Sequence, residues 1–197
     1  MSQENSGMSR RTAMGALAGA VGSAGLLACG AKAQDTAPSG GGRFKQSASR
    51  WCYGKVPMAK FCAEAKAIGL RGVDLLSEDQ WDEVIGHGLE VALSNGPGKI
   101  EDGWNDPSNH ERLIQGAEEM LPKLSQRGIK NMVIFSGNRK GMPDEEGLKN
   151  CTAGIKQILP AAEKANVVLV MELLNSKRNH KDYMCDHTVW GVKLAEA

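Results

Sequence analysis

From residue 47 onward, short apolar runs alternate with longer stretches in which apolar residues return every three or four positions. The first run, residues 49–53 (SRWCY), predicts a strand. Pro57 then stands at a first helical position. Phe61, Cys62, Ala65 and Ile68 follow at helical spacing up to Gly69, a residue suited to a C-terminal stop. Residues 72–76 (GVDLL) predict a second strand. Trp81, Val84 and Ile85 mark a short helix ending near Gly86 and Gly88, and residues 89–93 a third strand. A loop rich in Gly, Pro and Asn covers 94–108. Leu113, Ala117, Met120, Leu121 and Leu124 share one face of a helix over 109–126. Residues 132–135 (MVIF) form the fourth predicted strand, and Asp144 opens a helix carrying Leu148, Cys151, Ile155, Ile158 and Leu159. Residues 167–174 predict a fifth strand, and 187–197 begin a fifth helix.

Repeated strand–helix units imply parallel pairing with right-handed crossovers. Strands four and five are near-continuous apolar runs, the pattern expected where both faces are covered. A doubly wound open sheet and a (β/α)8 barrel both satisfy this order. No glycine-rich phosphate loop follows strand one, where the sequence reads GKVP, and this disfavours a nucleotide-binding open sheet. The long polar loops follow strands three, four and five, on the face that carries the active site in a TIM barrel. Residues 47–197 fall well short of the about 250 that a complete barrel needs. The expected fold is therefore α/β, a (β/α)8 TIM barrel that is incomplete, comprising about the first five β/α units. The sequence stops within a helical pattern. A polypeptide of these residues alone is expected to be inactive and poorly stable, because missing strands leave a sheet edge uncovered.

The N-terminal region has a different character. Ser9-Arg10-Arg11-Thr12 is a twin-arginine pair followed by a small, weakly apolar stretch, residues 13–28. Residues 1–33 thus read as a Tat-type export signal, which predicts a periplasmic or membrane-anchored protein. Two processing sites stay open. Leu26-Leu27-Ala28-Cys29 resembles a lipobox that would place a lipid anchor on Cys29, and Ala31-Lys32-Ala33 fits a signal-peptidase site. Residues 34–46 read as a flexible linker. The 24 basic and 23 acidic residues leave a formal charge of +1, which gives no electrostatic footprint for nucleic acid. None of the five cysteines sits in a CxxC pattern; Cys52, Cys62, Cys151 and Cys185 lie in apolar segments and are expected to be buried thiols.

The candidate chemistry begins at VVLVMELLNSK, residues 167–177, where a buried-strand pattern runs straight into Glu172. An unpaired buried carboxylate is costly, so Glu172 requires a partner: a metal ion, an arginine or a lysine. A plain ion pair with Lys140 or Lys177 satisfies the same requirement. Asn175 suits a sugar hydroxyl. The loop FSGNRKGM after strand four offers Arg139 and Lys140 to a carboxylate or phosphate, and is equally a capped connection leading into Asp144. Asp74, read as ending strand two, points toward the same rim. His87 and His110 are expected at the surface, and Asp186-His187-Thr188 reads as a helix start.

The segments SRWCYGKVP, FSGNRKGMPDEEGLKNC and VMELLNSKRNHKDYMCDHT resemble the hydroxypyruvate isomerase branch of the sugar phosphate isomerase/epimerase (xylose isomerase-like barrel) superfamily. The resemblance covers roughly residues 47–197. It implies a divalent metal ion, Mg2+ or Mn2+, with Glu172 as both a ligand and one of two acid/base glutamates. The other ligands of that family lie on strands that have no counterpart here. It also implies an aldose–ketose type isomerisation of hydroxypyruvate to tartronate semialdehyde through an enediolate. Lys177, Arg139 or Lys140 is then placed, from charge and position, to hold the substrate carboxylate. Two alternatives remain: a keto-sugar 3-epimerase of the same superfamily, and a non-catalytic, lipid-anchored binding protein. The expected partner is a small hydroxy-keto acid or sugar, with no nucleic acid; oligomeric state is open.

Overall fold

A computed structural model describes residues 44–197. The expected export signal with Cys29, and nearly all of the expected linker, lie outside the described residues. Five strands and five helices alternate: β1 (Ser47–Ser49), α1 (Met58–Ala67), β2 (Gly72–Leu76), α2 (Glu78–Gly86), β3 (Glu90–Ser94), α3 (His110–Gln126), β4 (Asn131–Ile134), α4 (Asp144–Ala165), β5 (Val168–Met171) and α5 (Thr188–Glu196). The sheet order is β1-β2-β3-β4-β5, and every pairing is parallel. This is an α/β fold of five consecutive β/α units, an incomplete TIM barrel.

Local chemistry sets the boundaries. Ser77 and Gln80 form a capping box at the start of α2. Asn166 adopts a left-handed φ of 54° and ends α4. Phe61, Cys62 and Ala65 of α1, Trp81 and Val84 of α2, and Leu113, Ala117, Leu121 and Leu124 of α3 form the apolar faces that cover the sheet.

Several expectations need correction. The aromatic run 49–53 is not a strand. β1 ends at Ser49, and Arg50–Tyr53 form a 3-10 turn. The Arg50 guanidinium donates to the carbonyls of Tyr53 and Val56 and so curls the chain that β-propensity alone would extend. Ile68 lies past the end of α1 and is 76% exposed. The strand read over 167–174 is shorter, Val168–Met171, so Glu172 is the first residue beyond it. Asp74 sits mid-strand in β2, not at its end. β4 is covered on both faces, but β5 is not: Val168 is 60% exposed. An apolar groove of about 650 Å3 opens between β5, α4 and α5. Cys52 is exposed, whereas Cys62, Cys151 and Cys185 are buried. His110 is not a surface residue; its ring packs on Trp104 and its Nε2 lies 2.9 Å from the Trp104 carbonyl oxygen.

Candidate active site

The site is built at the C-terminal ends of β3, β4 and β5. The loop after β3 folds back so that the amides of Trp104 and Asn105 donate to the carbonyls of Phe135 and Ser136, extending the line of β4. The Asn105 side chain then donates to Asn138 O at 2.7 Å, and Asn150 of α4 donates to Asn105 O at 2.9 Å. This close approach needs Gly137, whose φ is +96°; a Cβ there would strike the Asn105 side-chain oxygen and Gly103.

A strap formed by residues 182–186 seals the other side of the β4 loop. Arg139 N donates to Asp182 O at 2.7 Å, and Met184 N donates to Gly137 O at 2.9 Å. Cys185 N donates to the buried Ser136 hydroxyl at 2.9 Å. At the centre stands Tyr183, fully buried. Its hydroxyl accepts from Ser136 N at 3.0 Å and donates to the backbone carbonyl of Glu172 at 2.9 Å. Burial pushes the Tyr183 phenol upward, which keeps it protonated as the donor that geometry needs.

Glu172 continues the β5 ladder through its amide, which donates to Ile134 O at 3.2 Å. Its half-buried carboxylate receives no hydrogen bond and no ion pair from the described residues. The ion pair with Lys140 or Lys177 is therefore not formed. Burial pushes the Glu172 carboxyl above its ordinary range, and the neighbouring His180 imidazole pulls the other way.

The remaining candidates divide. Asn175 and Lys177 share the turn that follows Glu172. Asn175 Oδ1 accepts from Lys177 N at 3.0 Å, and Asn175 O accepts from the amides of Asn179 and His180 at 3.2 and 3.1 Å. Asn175 thus shapes the turn, while the Lys177 ammonium has no ion-pair partner among the described residues. Arg139 lies in the adjacent loop with its donors already engaged: it pairs with Asp144, reaches Asp186 at 2.8 Å and donates to Met184 O at 3.0 Å. Lys140 reaches Asp102 at 3.4 Å. Asp74 accepts from Ser47 Oγ at 2.7 Å and is separated from β5 by β3 and β4. Sequence reasoning missed Tyr183 and Ser136, and placed His180 near the site only by its position after strand five. One signal was available, a lone tyrosine inside the polar stretch KRNHKDYMCDHT.

A polar rim at the strands' C-terminal ends, with an uncompensated carboxylate immediately after β5, places the protein among barrel proteins whose sites are carried by β/α loops. The family described as "Xylose isomerase-like TIM barrel" matches residues 62–189, and the chain belongs to that family. No curated protein sequence matches it significantly. Among solved structures, it is similar to an AP endonuclease, family 2, from Brucella melitensis, with a TM-score of 0.68 at 18% identity over 78% of this chain and 64% of that one. A D-psicose 3-epimerase from Clostridium cellulolyticum H10, solved with D-tagatose, gives a TM-score of 0.60 at 12% identity over 78% of this chain and 59% of that one. The IolI protein, solved with a zinc atom, gives 0.61 at 12% identity over 78% of this chain and 58% of that one. The chain therefore spans less than two thirds of the length of these structures.

The donor set fits a metal in part. Glu172 is a half-buried carboxylate lacking partners among the described residues, which is the condition of an unsaturated ligand. No group of three or more His, Cys, Asp or Glu side chains able to hold an ion lies among the described residues. Glu172 is thus a candidate ligand, short of a complete set among the described residues.

Proposed function

We propose that the protein is a metal-dependent isomerase acting on a small hydroxy-keto acid, interconverting hydroxypyruvate and tartronate semialdehyde through an enediolate. The observation that carries this is the Glu172 carboxylate: half-buried, unpaired, and fixed at the mouth of a xylose isomerase-like barrel. Glu172 would hold a divalent ion, Mg2+ or Mn2+, from the β5 side. Such an ion would supply Lewis-acid polarisation of the substrate's carbonyl and hydroxyl oxygens.

The chain's own part is proton handling and placement. The Glu172 carboxylate takes a proton from the carbon that bears the hydroxyl, or returns it to the neighbouring carbon. Burial raises its proton affinity above that of a solvated carboxyl. The Tyr183 bridge fixes the backbone from which it projects.

A second reading, a keto-sugar 3-epimerase, draws support from the fold likeness to D-psicose 3-epimerase. The same proton transfer serves both readings; the substrate differs. Glu172→Gln in the intact protein tests the shared core. It retains the side-chain size and removes the base, and turnover of hydroxypyruvate should fall at least ~100-fold with the fold unchanged by circular dichroism. Retained turnover would remove Glu172 from the chemistry.

A further inference from the structure

β2 and β3 change face together. Val73 and Val91 are paired, and both belong to the buried cluster between the sheet and the helices. The next pairs toward the C-terminal ends are Asp74 with Leu93 and then Leu76 with Ser94, so each strand holds one extra residue, Ala92 in β3 and Leu75 in β2. Leu75 has a φ of +57°, a left-handed conformation rare for a leucine. Leu76 rejoins the helix-facing cluster three residues after Val73, an odd step that reverses the face of every later side chain.

Asn95 takes its position from this reversal. Ser94, fully buried, is in register with Leu76 on one side and Met132 on the other, and both of those face the helices. Paired residues in a parallel sheet point to one face and the residues that follow them to the other. Asn95 therefore stands on the inner face, away from the helices. Its amide donates to Leu76 O at 2.9 Å and continues the ladder, and Gly96 after it packs so closely that a Cβ would strike Val133 O. On β4, Val133 is fully buried yet lies outside the helix-facing cluster, and it pairs with Val170 of β5. Leu169 and Met171 pack on the helix side, which puts Val170 and, two residues on, Glu172 on the inner face. Asn95, Val133 and Val170 thus form one row, and Glu172 occupies the next inward position above it.

The polar side chains around that row differ in how they are held. Ser77 serves the capping box of α2, and Asn131, lower on β4, donates to Ala92 O at 2.8 Å. Asp74 accepts from Ser47 Oγ. Asn95 is held loosely: its Nδ2 reaches Leu75 O at 3.4 Å and Ser77 Oγ at 3.3 Å. Leu75 O can only accept, which fixes the orientation of the amide, and Oδ1 accepts no hydrogen bond from the described residues. A half-buried amide oxygen without a donor is costly until a ligand or water supplies one. Two strand spacings, about 10 Å, separate β3 from β5, a gap that Glu172 and Asn95 can span around a small ligand.

We propose that Asn95 is a substrate-binding residue of the Glu172 site: its Oδ1 accepts a hydrogen bond from the hydroxyl that the substrate carries beside its carbonyl. The inference rests on the reading of Glu172 as the reacting group and adds the residue that recognises the hydroxyl. The strain at Leu75 then has a use, since the paired bulge turns Asn95 to the inner face.

Titration calorimetry on the intact, Mn2+-loaded protein compares hydroxypyruvate with pyruvate, which differs only in lacking that hydroxyl. The native protein should bind hydroxypyruvate the more tightly. Asn95→Leu keeps the side-chain size and removes the acceptor. Hydroxypyruvate affinity should fall about tenfold, the scale of one hydrogen bond, and pyruvate affinity should hold. If Asn95→Leu does not fold, Asn95→Ala carries the same comparison, because the backbone bond to Leu76 O remains. A merely structural Asn95 would weaken both ligands alike; that result, or no loss of either, overturns the proposal. Failure of the underlying reading looks different: Glu172→Gln leaves turnover intact, or the native protein binds neither ligand.

Discussion

The Tyr183 hydroxyl donates to the main-chain carbonyl of Glu172 at 2.9 Å, across 11 residues of sequence. The same oxygen accepts from Ser136 N at 3.0 Å, so one phenol ties the end of β4 to the end of β5. Tyr183→Phe keeps the ring and deletes both bonds, leaving a buried amide and a buried carbonyl without partners. Stability should drop by about 1–3 kcal/mol, readable as a lower urea midpoint with unchanged slope. Because Glu172 loses its backbone tether, kcat should fall more than KM rises. A fully stable, fully active Y183F protein would show that the bridge positions nothing.

Gly137 and Gly141 separate steric conflict from backbone strain. Both hold positive φ, +96° and +83°. A Cβ on Gly137 meets Asn105 and Gly103, whereas one on Gly141 meets nothing within 4 Å. Gly141→Ala should cost about 1–2 kcal/mol, the left-handed penalty alone. Gly137→Ala should cost clearly more and also loosen the Met184 N to Gly137 O bond. Thermal unfolding of the two variants gives the order directly; equal losses would mean the Asn105 contact is soft.

Pattern and geometry contributed differently to what could be read in advance. The alternation of short apolar runs with 3.6-periodic stretches located β2, β4, α2, α3 and α4, because each helix buries one clean face and each strand is a short apolar run between polar turns. It also put Glu172 at a strand end, since four apolar residues leading into an acid admit few placements. β1 failed because Arg50 satisfies two carbonyls locally and overrides strand propensity. Arg139 looked available because one of its two acidic partners is distant in sequence; Asp186 lies 47 residues away. His110 looked exposed for the same reason, as nothing local reveals that Gly154 of α4 makes room for it and Trp104. The linear pattern reports which faces are apolar, while commitments between loops exist only after folding.

Asp186 gives the strap a defined acid limit. Burial by itself pushes its carboxyl up, but hydrogen bonds from Ser176 and His187 and the Arg139 guanidinium outweigh burial and hold it below the usual range. A depressed folded value means that the unfolded chain binds the proton more tightly. The stabilisation is then fully present above the ordinary value of about 3.9 and disappears as pH falls through the folded value. Urea midpoints measured from about pH 6 to about pH 2 should decline across that window, and Asp186→Asn should flatten that part of the decline. A D186N protein with the native slope would place the acid sensitivity elsewhere.

Thiol reactivity offers a map of the same strap. Of the four described cysteines, Cys52 is exposed on the 3-10 turn after β1, while Cys62, Cys151 and Cys185 are buried. Burial pushes the Cys185 thiol up to about 11 and raises Cys151 further, so neither offers much thiolate at pH 8. Iodoacetamide followed by peptide mass spectrometry should therefore modify Cys52 first, with Cys151 and Cys185 labelled only as the strap opens. Cys185 N is pinned by Ser136 Oγ at 2.9 Å, and the strap is held from the other side by Arg139. Arg139→Met should then speed labelling of Cys185 while leaving Cys62, on the buried face of α1, at its native rate. Uniform acceleration of all three buried thiols would instead indicate global unfolding, and labelling of Cys151 as fast as Cys52 would contradict the packing of α4 on the β4 loop.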